Sequence, residues 1–172
     1  MSSIHDDEFR DFVLTWTPAL FRTAFMLTGD RGHAEDLVQT ALMKTSRRWT
    51  HIVSREARYA YVRQVMVNTQ TSWLRRRRVA ESFVDVVPES GTERDDFQAT
   101  EGRTLPALAQ LPERMRAVLV LRFYEDLSEV ETARLLGCSV GTVKSQTSRG
   151  LDRLRTYFAD EHPHSGALRK GS

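Results

Sequence analysis

Cysteine occurs once in the 172-residue chain, at Cys138, so neither an internal disulfide framework nor a cysteine-based zinc cage can hold this protein together. Cys138 reads as a small residue buried at a turn. Long apolar runs are missing too: no window approaches the ~18 unbroken apolar residues of a membrane span. The start, "MSSIHDDEFRDF", is acidic rather than the basic-then-apolar pattern of a secretory signal. These absences predict a cytoplasmic protein. Alternating strand patterns, internal repeats and glycine-rich phosphate loops are absent as well. The five histidines, His5, His33, His51, His162 and His164, form no metal-ligand spacing with carboxylates, and no nucleophile has a placed base. The sequence therefore predicts no enzyme, no cofactor and no metal.

What is present is helical. A hydrophobic fraction of 40% with 28% charged residues suits a globular chain. Apolar residues recur at three- and four-residue steps over 6–28 (Phe9, Phe12, Trp16, Leu20, Ala24, Leu27), with Pro18 a candidate break. A second helix covers "HAEDLVQTALMKTSRRW" and a third spans 56–77, with Val62, Met66, Thr69 and Trp73 turned inward. Periodicity vanishes between 79 and 103 and returns in "LPALAQLPERMRAVLVLRFYED" and the segment after it. The expected fold is all-α: two small helical modules, 6–78 and 104–158, joined by a flexible acidic linker, 79–103, with a disordered tail at 159–172.

The net charge of +2 conceals a pattern. The first 78 residues carry +5, residues 79–103 carry −5, and the remainder carries +2. Two basic blocks flank an acidic one, which points to nucleic acid as a partner of each module rather than of the tether.

The segment "LSEVETARLLGCSVGTVKSQTSRGLDRLR", 127–155, has the form of a helix-turn-helix. Ala133 is small where two helices cross, and Gly137 lies where the turn needs a positive φ. Ser128 and Ser139 are placed to cap the helices that follow them. Val130, Leu135, Leu136, Val140, Val143, Leu151 and Leu154 form the expected apolar seam. That seam leaves Thr142, Lys144, Ser145, Gln146, Ser148, Arg149 and Arg153 for DNA, as base-reading amides and hydroxyls or phosphate-binding cations. Gly141 and Gly150 lower helix propensity in the same stretch.

In the first module, "YVRQVMVNTQTSWLRRRR" gathers aromatics, amides and four consecutive arginines on one helix, the composition that stacks on bases and grips phosphates. Asp36, Gln39, Thr40, Met43 and Lys44 form a mixed face on the second helix that could receive a partner.

The order "AEDLVQTALMKTSRRW", "YVRQVMVNTQTSWLRRRR", "LPERMRAVLVLRFYEDLSEVETARLLGCSVGTVKSQTSRGLDRLR" resembles the bacterial extracytoplasmic-function (group IV) sigma factors, in particular their actinobacterial SigE-like branch. The resemblance implies that the first module is sigma region 2 and the last is region 4. It implies that Asp36, Gln39, Thr40, Met43 and Lys44 meet core RNA polymerase. Arg63, Asn68, Gln70, Thr71, Trp73, Arg75, Arg76, Arg77 and Arg78 would serve the −10 element, and the helix over 141–155 would read the −35 element. An anti-sigma factor becomes a candidate partner, and the free protein is expected to be a monomer. Many relatives carry "GTVKSRLHRAR" where this chain has "GTVKSQTSRGL", so Gln146 and Ser148 are where its own preference would arise. The alternative is a helix-turn-helix regulator that binds an operator without polymerase. Twenty-five linker residues at ~3.3 Å each reach ~80 Å, enough to bridge two separated promoter elements.

Overall fold

The computed structural model describes residues 2–52, 54–81 and 102–160, and all regular structure among them is helical. Helix α1 runs Ser2–Thr28 and α2 runs Arg31–Ser46. A 3-10 turn, Trp49–His51, leads to α3, Arg55–Glu81. Then come α4, Thr104–Ala109, and α5, Glu113–Leu119, which passes into a single π-helical turn, Val120–Tyr124. The last two helices are α6, Glu129–Leu136, and α7, Val140–Asp160. Most of the expected linker lies outside the described residues, but α3 continues to Glu81, past the expected end of the first module at 78. Helix α7 likewise runs two residues into the expected tail.

Pro18 does not break α1, which stays one helix of 27 residues. The carbonyl deprived of its donor is that of Leu14, whose residue is 73% exposed, so water can satisfy it. Gly29, with φ 69°, ends α1 in the left-handed conformation. Asp30 then caps α2, its carboxylate accepting from the His33 N–H at 2.8 Å.

The first core fills the space between α1, α2 and α3 with Leu20, Leu27, Leu37, Ala41, Val62 and Met66, all at 0% exposure. An aromatic group closes one end. Trp49 meets Phe9 and Phe12 edge-on at ring distances of 4.9 and 5.0 Å, and Trp16 lies 4.5 Å from Tyr59. Each such pair adds ~0.5–1.5 kcal/mol beyond burial. Through Trp49, this cluster packs the turn between α2 and α3 against α1.

The second core is built by α4–α7 around Leu119, Leu121, Leu136 and Val143. Gly137 (φ 64°) caps α6 and turns the chain toward α7. Val130 departs from the expected seam: it is 66% exposed, because α6 turns its Ala133 and Leu136 side inward instead. Gly150 sits at the crossing of α7 with α5, where a β-carbon would lie 2.9 Å from Leu119 Cδ1 and 3.0 Å from Met115 Cγ.

The two modules touch. Helix α3 contacts α6, and α1 contacts α4 and α5. The join at α1 centres on Arg116 of α5, which is 6% exposed. Its guanidinium donates to the carbonyls of Thr28 and, at 3.3 Å, Leu111, and it covers Gly29 so closely that no β-carbon would fit there. Burial lowers the Arg116 pKa to about 10, with Glu113 and Asp30 opposing, so it remains a cation at neutral pH.

Candidate nucleic-acid interface

The helix-turn-helix forms as its sequence dictates. Ser128 accepts from the Glu131 N–H at 3.1 Å, while the Glu131 carboxylate accepts from the Ser128 N–H at 2.9 Å, a complete capping box. Those bonds hold the Glu131 carboxyl below its ordinary pKa. Ser139 caps α7 by accepting from the Thr142 N–H at 3.1 Å. Val143 anchors α7 at 0% exposure, and Thr147 returns its hydroxyl to the Val143 carbonyl at 2.8 Å. The opposite face then presents Thr142, Lys144, Ser145, Ser148, Arg149 and Arg153 to solvent, with Gln146 half-buried. A β-carbon at Gly141 would meet only Ser139 Oγ at 3.7 Å, so the glycine keeps the first turn of α7 slim rather than relieving a clash.

In the first module, Asn68, Arg75, Arg76 and Arg78 are exposed on α3, and Trp73 and Arg77 are half-buried. Gln70 and Thr71 depart from the expectation. Gln70 is 0% and Thr71 1% exposed, and the Thr71 hydroxyl donates to the Val67 carbonyl at 2.9 Å. Neither side chain reaches solvent, because α3 is packed on two sides: on α1 and α2, and on α6. Arg63 also departs, since its guanidinium pairs at 2.8 Å with Glu125, the residue that follows the π-helical turn. That hydrogen bond and charge outweigh burial and raise the Arg63 pKa. On α2, Asp36, Gln39 and Met43 share an exposed stripe, and Thr40 is half-buried beside it. Lys44 is exposed and donates to Thr69 Oγ1 at 2.9 Å, which ties that face to α3.

One feature escaped the sequence reading. An open pocket of about 500 Å³ lies where α2 hands over to α3, lined by Arg48, His51, Ile52, Ser54, Ala57 and Tyr61. Arg58 stiffens its back wall: it sits 4.3 Å over the Trp49 ring, donates to the Ile52 carbonyl at 3.2 Å, and pairs with Glu8 at 3.0 Å. A pocket with a tyrosine, an arginine and a histidine on its rim suits a single unstacked base with its phosphate. The signal in the sequence is faint, since these residues are spread over two elements and the turn between them.

The chain matches sigma-70 region 2 over residues 12–79 and sigma-70 region 4 over residues 104–154. It is 42% identical to the RNA polymerase sigma-E factor of Streptomyces coelicolor over 164 residues, covering 95% of this chain and 93% of the relative. The protein is a sigma factor of the extracytoplasmic-function group. It is also 34% identical over 146 residues to the ECF RNA polymerase sigma factor SigL of Mycobacterium tuberculosis, with 79% and 80% of the two chains covered. Among solved structures it is similar to the sigma factor RpoE in complex with the anti-sigma factor NepR from Bartonella quintana. That match has a TM-score of 0.56 at 25% identity and covers 88% of this chain and 96% of that one. As a sigma factor, this protein binds core RNA polymerase and promoter DNA and directs promoter-specific initiation. Among the described residues no helix is long and apolar enough to cross a membrane.

Proposed function

We propose a division of labour among the residues of this sigma factor. The α7 face of Thr142, Lys144, Ser145, Gln146, Ser148, Arg149 and Arg153 reads duplex −35 DNA. Gln146 and the hydroxyls contact base edges, and the cations neutralise phosphates. Helix α3 serves the −10 element through Asn68 and Trp73, with Arg75–Arg78 on the backbone. A base expelled from the melted −10 strand enters the pocket between α2 and α3 and stacks against Tyr61. The α2 stripe of Asp36, Gln39 and Met43, with Thr40 and Lys44, docks on core polymerase. The protein works in the cytoplasm, performs no covalent chemistry, and is a monomer until it meets polymerase. An anti-sigma factor holds it in check, as the NepR complex suggests by likeness.

The observation that carries this reading is the exposed, capped α7 face in a chain whose two modules match regions 2 and 4 in order. The test is run-off transcription with purified core on genomic templates, with start sites sequenced. A promoter-specific transcript that requires both proteins supports the reading. Tight binding of the lone chain to a palindromic operator, with no transcript, would sink it.

A further inference from the structure

The arginines around the turn between α2 and α3 fall into two kinds. Arg47, Arg48 and Arg55 are exposed, and Arg48 stands on the rim of the pocket. Arg58 is different. Its side chain is only 17% exposed, and its donors are already engaged. Nε donates to the Ile52 carbonyl at 3.2 Å, and Nη2 donates to Glu8 Oε2 at 3.0 Å. The guanidinium carbon lies 4.3 Å over the Trp49 ring, and the backbone N–H donates to the Ser54 carbonyl at 3.0 Å. Ile52 and Ser54 line the pocket, as does Ala57, the chain neighbour of Arg58, whereas Arg58 itself does not. It therefore grips two wall residues from behind the cavity.

We propose that Arg58 is a positioning residue for promoter opening: it holds the pocket open before DNA arrives, and Glu8 of α1 orients it. The inference rests on the reading of this pocket as the site of an expelled base. Ile52 and Tyr61 turn apolar surface toward an open cavity, and in water such walls gain by closing together. An ion pair, a cation–π contact and a carbonyl bond converge on one guanidinium to oppose that closure. Lysine could not replace it, because an ammonium lacks the planar fork that serves all three at once. A pocket already in shape spares the incoming base the cost of ordering its walls. Arg58 does this without touching DNA, since Glu8 and the Ile52 carbonyl take the places that phosphate oxygens would fill. The start of α1 thereby serves melting as well as packing. Glu8 and Phe9, adjacent in the chain, reach Arg58 and Trp49 respectively.

The experiment measures the affinity of the holoenzyme for the single-stranded non-template −10 DNA of a promoter mapped by run-off transcription. Each base of that strand is removed in turn to leave an abasic site. With the unmodified protein, loss of the captured base should weaken binding by about ten-fold or more. R58A should weaken binding of the intact strand by about ten-fold, and E8Q by about three-fold. Both losses should vanish on the strand that is abasic at the captured position. A fold defect alone would weaken the two strands equally, so equal losses overturn the proposal. Unchanged affinity for the intact strand overturns it too. If R58A shows no cooperative thermal transition, E8Q decides by the same criteria. If no promoter is mapped, or no abasic position costs the unmodified protein affinity, the base-capture reading fails and takes this inference with it. That failure appears before any variant is made, so it is distinguishable from failure of the role given to Arg58.

Discussion

Gly150 of α7 rests directly on Leu119 of α5, with 2.9 Å between the position of a β-carbon and Leu119 Cδ1. The glycine is a contact requirement, not a fault in the recognition helix. Replacing it with alanine recovers ~1 kcal/mol of helix propensity but forces Leu119 and Met115 to move, at a cost of ~1–3 kcal/mol. G150A should therefore be neutral to destabilising, by up to about 2 kcal/mol. Chemical denaturation checks this, and a clear gain in stability would show that the crossing is looser than described.

The capping box of Ser128 and Glu131 should be visible in stability. S128A is expected to cost about 1 kcal/mol. The Glu131 carboxyl has a depressed folded pKa, so its contribution is present above the ordinary carboxylate range and is lost as pH falls through the lowered value. Melting curves from pH 7 to pH 3 should show a smaller acid-induced loss in S128A than in the parent chain.

Gln146 and Lys144 should fail in different ways. Q146A is expected to relax base preference at one −35 position, by ~1–3 kcal/mol of discrimination. K144A should weaken binding to all sequences alike and reduce the salt slope by about one. Transcription from a randomised −35 library, together with a salt titration, separates the two outcomes.

Tyr61 stands on the rim of the pocket between α2 and α3. Y61A should lose ~1–3 kcal/mol of stacking in the open complex while leaving the closed promoter complex intact. Permanganate reactivity of melted thymines, set against total promoter occupancy, is the measurement. Equal losses in both would place Tyr61 in folding rather than in melting.

Local signals carried much of this protein in its sequence. Apolar steps of three and four residues determined that it is all-helical. Ser128, Gly137 and Ser139 determined where the helix-turn-helix turns, because capping oxygens and a positive φ act on the neighbouring backbone alone. The exposed face of α7 followed from the same seam. Tertiary structure decided what depended on covering a second surface. The family resemblance assigned Arg63, Gln70 and Thr71 to DNA, yet Arg63 pairs with Glu125 and the other two are buried, and a polar residue on a second buried face leaves no periodic trace. Val130 looked buried and is not, since the rotation of α6 is set by what Ala133 and Leu136 meet. The pocket at Tyr61 needed Trp49, Arg58 and Glu8 to converge from three segments. The contact of α3 with α6 belongs to the same class: partners far apart in the chain write no spacing that either one can reveal alone.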